Sequence, residues 1–233
     1  MAAPDNTIAG NPMLTRSVTA VANAYAGFGS KVTAASIDPV TSTALETTAD
    51  ILLSNTNADI DNMSMQWRFR TAAEAAGSNP NAVLSDVVSI TGMDNGADLF
   101  VLQMSYSNAA LAALSLNENS IAVSGELRLG WNDAGTWKTA VAGNTTGTPT
   151  FAGTTDWNSY YTTISAVDDG SDLNLFLGTF GVDPANNKVW AVLDHNSEFA
   201  VIPEPSTLVL GGLALLGFAG VGLRRRRLAK QQA

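Results

Sequence analysis

Cysteine is absent from the 233-residue sequence, and histidine occurs once, as His195. Without cysteine the protein has no disulfide, thiolate nucleophile or zinc–thiolate site, so its stability must come from packing. A single histidine excludes metal sites with two or three histidine ligands, and a Ser-His-Asp triad would have to use His195. His195 lies in the short polar segment 194–198 between two predicted strands, which favours a turn histidine over a catalytic one.

Familiar catalytic motifs are also missing. The sequence contains no Gly-x-Ser-x-Gly elbow, no phosphate-binding loop and no dinucleotide-binding fingerprint. We therefore expect a protein that is not an enzyme.

Basic residues are scarce before the C-terminal tail. Residues 1–205 contain seven basic and 21 acidic residues, a net charge of −14, whereas the remaining residues carry a charge of +5. An acidic surface repels nucleic acid and anionic lipid head groups. We expect no nucleic acid partner.

Long apolar runs are absent except for one near the C-terminus. From Ser206 to Leu223 there are 18 residues without an ionisable side chain, and a helix of that length reaches about 27 Å, close to the ~30 Å hydrocarbon core. Its most apolar part, from Leu208 to Leu223, predicts a transmembrane helix. The alternative is a buried core helix, because the run is near the lower limit for a span.

Four arginines follow the apolar run directly: Arg224, Arg225, Arg226 and Arg227. Such a cluster marks the cytoplasmic side of a membrane helix. We therefore expect the residues before Pro203 to form an ectodomain outside the cytoplasm.

The segment before the run contains Pro203, Glu204 and Pro205. The two prolines remove backbone donors and hold the residues before them extended, a form that suits a protease cleft. The order of Pro-Glu-Pro, apolar helix and arginines resembles the PEP-CTERM sorting signal of bacterial surface proteins. This resemblance implies that a membrane transpeptidase-like enzyme, the exosortase, removes the helix near these three residues. The ectodomain would then be released or attached outside the cell, typically in Gram-negative bacteria that make exopolysaccharide.

The N-terminus carries no visible secretory signal. Residues 1–7 lack a basic region, and the first apolar cluster, 18–28, is broken by Asn23 and Gly27. We expect that the start is misplaced or trimmed, or that the sequence is the C-terminal piece of a longer exported chain. Residues 1–44 are accordingly interpreted as an incomplete segment or a remnant of an upstream region.

Alternating apolar and polar residues between the termini predict strands. The alternating apolar positions are Met63, Met65, Trp67 and Phe69; Phe100, Leu102, Met104 and Tyr106; and Ile121, Val123, Leu127, Leu129 and Trp131. Further strands are predicted at 82–91, 173–180, 188–193 and 199–202, separated by turn signals at 94–96, 133–135, 168–170 and 183–187.

Helical patterns are short. They cover 72–76, 109–114 and a looser stretch, 12–26, with Asn11 as its N-cap, and residues 136–161 are interpreted as a long loop and irregular strand on one edge. We therefore predict an all-β, β-sandwich-like ectodomain over 45–202, followed by the sorting signal 203–233 with its single transmembrane helix.

Five segments of the ectodomain carry a second resemblance. They are similar to the β-rich domain next to PEP-CTERM tails in some verrucomicrobial and planctomycete-type surface proteins, which often follows autotransporter-like β-repeats. The resemblance implies no biochemical activity and supports a missing N-terminal repeat region. The segments are 67–70 with Glu74, 85–88, 100–106, 127–131 and 190–201.

Aromatic residues cluster in the second half of the ectodomain. Trp137, Trp157, Tyr160 and Tyr161 lie in its loop-rich part, where exposed rings would stack on sugars. The alternative is that they pack in the core or at an edge of the sandwich.

Two groups of aspartates are candidates for calcium binding, with hard oxygen ligands. They are Asp168, Asp169 and Asp172 in one loop, and Asp94 and Asp98 in another. The alternative is that aspartate beside glycine and asparagine forms turns. We therefore expect no cofactor, with calcium as the open alternative.

The sequence favours an exported, exosortase-processed protein of the cell surface or extracellular matrix with a structural or adhesive role, associated with exopolysaccharide. One alternative is a carbohydrate-binding module, and a further one is a polysaccharide hydrolase that uses a carboxylate pair.

Overall fold

The computed structural model describes residues 14–21, 31–37, 44–53, 60–76, 82–166 and 173–204. Within these ranges the chain forms twelve strands and four short α-helices. The strands are β1 (Leu14–Val21), β2 (Lys31–Ile37), β3 (Ala44–Leu53), β4 (Ile60–Arg68), β5 (Val87–Thr91), β6 (Leu99–Ser105), β7 (Leu127–Asp133), β8 (Thr136–Thr139), β9 (Thr150–Thr154), β10 (Thr179–Asp183), β11 (Lys188–Leu193) and β12 (Ser197–Pro203). The helices are α1 (Ala72–Ala75), α2 (Asn108–Ala113), α3 (Glu118–Val123) and α4 (Trp157–Ser165).

The strands form two six-stranded sheets. The first sheet has the order β1-β4-β5-β12-β7-β8, and the second has the order β2-β3-β6-β11-β10-β9. Neighbouring strands are antiparallel, except that β9 runs parallel to β10. This architecture confirms the predicted all-β, sandwich-like class.

The inner faces of the two sheets share one core. Phe100 on β6 meets Phe199 on β12 edge to face, with 6.3 Å between the ring centroids. Both rings are fully buried. The alternating residues on β4 and β6 lie in this core, as their period of two predicts. They are Met63, Met65, Trp67, Phe100, Leu102 and Met104.

The second sheet is buried on its outer face as well. Leu99 and Val101 of β6 and Trp190 of β11 pack there against Trp157 of α4 and Phe176. The rings of Trp157 and Trp190 lie 5.2 Å apart. Because both faces are covered, β6 is apolar at nearly every position rather than at alternate ones.

Two strands precede the predicted start of the sandwich at residue 45. β1 pairs with β4 along its whole length, and β2 pairs with β3, so both strands belong to the sheets. The prediction of a helix over 12–26 is wrong for residues 14–21. Val18, Val21 and two threonines supply β-branched side chains, which favour the strand over the helix.

The predicted strand that joined Ile121 to Trp131 is two elements. Ile121 and Val123 lie on α3, because Asn117 caps that helix by accepting a hydrogen bond from the Ser120 amide at 3.1 Å. Gly125 then turns the chain with a φ of +70°, and β7 follows. Only the second half of the alternation, from residue 127 onwards, is a strand.

The other sequence predictions match the elements to different degrees. Short helices are confirmed as α1 and α2, and strand 188–193 is confirmed as β11. Segment 136–161 is more regular than predicted, because it holds β8, a 3₁₀ turn over Ala140–Gly143, β9 and the start of α4. β8 and β9 do lie at sheet edges. Segments 82–91 and 173–180 are strands only in their last residues, where β5 and β10 fall.

No helix within the described ranges is long and apolar enough to cross a membrane. The transmembrane helix predicted from Leu208 to Leu223 lies outside those ranges, as do the four arginines.

Replacing Trp157 by alanine should lower the free energy of unfolding by about 3–5 kcal/mol, because the indole fills the second core against Trp190 and Phe176. Urea denaturation of the purified protein measures this loss. The control is Leu175→Ala, at a side chain that is 55% exposed, which should stay within about 0.5 kcal/mol of the unchanged protein. Equal midpoints for the two variants would contradict this packing.

Candidate functional site at the end of the last strand

The last strand, β12, lies inside the first sheet, between β5 and β7. Its second half pairs with β7 up to Pro203, which stands opposite Leu127. On the other side the amide of Val201 donates to the Ser85 hydroxyl at 2.8 Å, and the Val201 carbonyl accepts from the Leu84 amide at 2.8 Å. Pro203 is buried. As a proline it has no backbone N–H and donates no ladder hydrogen bond.

Glu204 is held by three groups of the sandwich immediately after β12. Its amide donates to the Glu126 carbonyl at 2.6 Å. Its carboxylate accepts a hydrogen bond from the Thr139 hydroxyl and forms an ion pair with Arg128, with 3.0 Å between Nη1 and Oε2. The first two residues of the Pro-Glu-Pro motif therefore belong to the folded domain.

Arg128 is itself fixed by two further contacts. Its guanidinium lies over the Phe180 ring, 4.8 Å from the centroid, and its Nε donates to the Gly125 carbonyl. A guanidinium fixed in this way loses little additional conformational freedom when it binds Glu204.

The Glu204 carboxyl is partly withdrawn from water, with 24% of its side chain exposed. Burial raises its pKa above the ordinary value, Arg128 offsets part of that rise, and the nearby Glu126 adds to it. Arg128 therefore stabilises the ionised form of this carboxyl against the effects of burial and of Glu126.

The other residues predicted to belong to the sorting signal are not described by the structure. Pro205, Leu208, Leu223 and the arginines 224–227 lie outside the described residues.

The aromatic residues predicted to bind glycans do not form one exposed platform. Trp157 is fully buried and Trp137 is 6% exposed, so neither indole presents a face on which a sugar could stack. Tyr160 and Tyr161 are half-buried and pack against Trp157, with centroid distances of 6.3 and 5.6 Å.

Trp137 also lies apart from the other three rings. It packs on the outer face of the first sheet with Val87 and Ile202, whereas Trp157 covers the second sheet. Burial and this separation correct the glycan-contact prediction for the two tryptophans. They agree instead with the alternative of packing in the core.

The aspartates proposed for calcium behave as turn formers where they are described. Asp98 is fully buried, and its carboxylate accepts from the Asp94 amide at 2.5 Å. No group of three or more acidic or histidine residues that could hold a metal occurs in the described ranges. Asp168, Asp169 and Asp172 lie outside them.

His195 lies in the short connection between β11 and β12, as predicted, and its ring is buried. It is 6% exposed, its Nε2 lies 3.0 Å from the Ala140 carbonyl, and its ring touches Trp131 and Phe199. Burial lowers its pKa, although the Ala140 carbonyl and Asp194 oppose that effect. The neutral imidazole therefore fills space between the loops and the first sheet.

An open pocket of about 380 Å³ lies between α3, the start of α4 and the β10–β11 turn. Its lining combines hydrogen-bonding groups, such as Asn119 and Thr154, with the aliphatic surface of Val123. Val123 is 69% exposed. The sequence does not indicate this pocket, because its walls come from three distant segments and no motif marks them.

Replacing Arg128 by glutamine should lower the free energy of unfolding at pH 7 by about 1–2 kcal/mol, between the effects measured for exposed and buried pairs. The deficit should shrink as the pH falls towards about 4, since the folded pKa of Glu204 is raised and protonation removes the unpaired charge. Adding Glu204→Gln should abolish this pH dependence.

Urea denaturation of both variants across pH 4–8 measures the effect. The control is Lys138→Gln, which removes the exposed pair with Asp133 and should change stability by less than about 0.5 kcal/mol. A deficit for Arg128→Gln that does not vary with pH would contradict the pairing.

Comparison with protein families finds a match in the C-terminal part of the chain. The PEP-CTERM protein-sorting motif family matches residues 201–227, which begin within β12 and extend through the apolar run to the last of the four arginines. No curated protein and no solved structure matches the chain.

The matched residues are those in which the sequence resembles a sorting signal, and they include Pro203, Glu204 and Pro205. The motif indicates export to the cell envelope and processing by exosortase. The chain carries a PEP-CTERM protein-sorting motif at its C-terminal end.

Proposed function

We propose that the protein is a non-enzymatic, structural or adhesive component of the cell surface or extracellular matrix that associates with exopolysaccharide. Before processing, the apolar helix 208–223 would span the membrane, with arginines 224–227 in the cytoplasm. Exosortase would then remove the helix.

The observation that carries this proposal is the position of the sorting motif relative to the fold. The matched residues start in a central strand of a β-sandwich, so the signal is continuous with the domain that it delivers. The strongly acidic composition of residues 1–205 suits a soluble domain exposed to the surroundings of the cell.

Deleting the exosortase of the producing organism should leave the chain in the membrane fraction at its full mass. In the parent strain the chain should be shorter and should lie at the surface or in the medium. Immunoblots of fractionated cells measure both. A chain of full mass in the cytoplasm of the parent strain would contradict the proposal.

A second candidate function, carbohydrate binding, is favoured by the pocket between α3, α4 and the β10–β11 turn. Its volume is within the range of small-ligand sites. Amide, hydroxyl and carboxylate groups at Asn119, Thr154 and Asp156 could bind sugar hydroxyls, and the exposed Val123 offers an apolar surface for the C–H face of a ring.

If the pocket binds the organism's exopolysaccharide, Asn119→Ala and Thr154→Ala should each reduce co-sedimentation with it, by about tenfold in affinity for the loss of one or two hydrogen bonds. Asn158→Ala and Thr136→Ala are the controls, since they change the same residue types at exposed positions outside the pocket. Equal binding by all four variants would contradict this site. A fall in polymer length during incubation would indicate a hydrolase.

A further inference from the structure

The sorting motif overlaps the folded domain by four residues, from Val201 to Glu204. We infer that exosortase cuts on the C-terminal side of Glu204, an inference that rests on the proposed processing by this enzyme. The mature protein then keeps all of β12 together with the ion pair between Glu204 and Arg128.

The backbone of β12 is not available to a protease. A protease binds its substrate as an extended strand through main-chain hydrogen bonds, but β7 pairs with β12 from Phe199 to Pro203 on one side. Ser85 and Leu84 occupy the backbone groups of Val201 on the other side. Cutting before Pro203 would require a central strand to leave the sheet.

The side chains of the strand oppose that removal. Val201 and Ile202 are no more than 1% exposed and belong to the cores on opposite faces of the first sheet. Moving Val201 and Ile202 into an enzyme's cleft would remove both side chains from these cores and expose both faces of the first sheet to water.

Glu204, the residue after β12, is held by contacts of the same kind. Its amide is bonded to Glu126, and its carboxylate is bonded to Arg128 and Thr139. These contacts hold Glu204 within the folded domain, so an enzyme that accepts the intact domain cannot bind the backbone up to this residue as a free strand.

The chemical step is an acyl transfer at a peptide bond after Glu204. The carbonyl carbon forms a bond to the oxygen of water or to the nitrogen of an acceptor amine, and its bond to the following backbone nitrogen breaks. That nitrogen leaves with the proton that the nucleophile loses. Water yields a free carboxylate, and an amine yields a new amide.

The full-length chain, co-expressed with the organism's exosortase, tests the inference by intact-mass and C-terminal peptide analysis of the processed protein. We expect a shortened chain whose C-terminal peptide contains Pro203 and Glu204. A processed chain that ends at Pro203 or earlier overturns the inference while leaving the proposed processing intact. A chain that keeps its full mass overturns both.

Hydrogen exchange of the intact chain tests the physical basis independently. We expect the amide of Glu204 to exchange more slowly than in the denatured chain, with this protection lost or reduced in Arg128→Gln and unchanged in Lys138→Gln. An unprotected Glu204 amide in the unchanged protein would overturn the inference, because Glu204 would then not be held in the fold.

Discussion

The position of β12 between β5 and β7 is the constraint on which the account depends. This strand contributes Phe199 and Val201 to the main core and Ile202 to the opposite face, so it cannot be removed without opening the first sheet. It is also the strand in which the sorting motif begins. The first residues of the segment that directs export, from Val201 to Pro203, are therefore fixed in register by the same hydrogen bonds that complete the sandwich.

The ion pair between Arg128 and Glu204 extends this constraint by one residue. Arg128 lies on β7, opposite Ile202 of β12, and from there its guanidinium reaches the carboxylate of Glu204. Because the carboxylate is partly buried, the guanidinium compensates a charge that would otherwise be costly. The pair fixes Glu204, the second residue of the Pro-Glu-Pro segment, against the sandwich.

Local pattern predicted much of this fold, because a period of two is visible wherever one face of a strand is buried. The alternation in β4 and in the first half of β7 predicts strands in this way. The same pattern wrongly predicts a strand at residues 121–123, because two apolar residues at alternate positions also fit one turn of helix. The Asn117 cap and Gly125 at positive φ select the helix there. The burial of Trp137 and Trp157 depends on which strand face each element covers, and sequence spacing does not give that.

The order of its parts identifies the sorting motif in the sequence. No sequence feature predicts that the motif is attached to the sandwich. The contact between Arg128 and Glu204 joins residues that are distant in sequence and depends on the register of β7 against β12. Limited proteolysis of the intact chain with a non-specific protease, read by mass spectrometry, tests this attachment most directly. The account predicts that the stable fragment ends at or after Glu204, and a stable fragment that ends before Pro203 would contradict it.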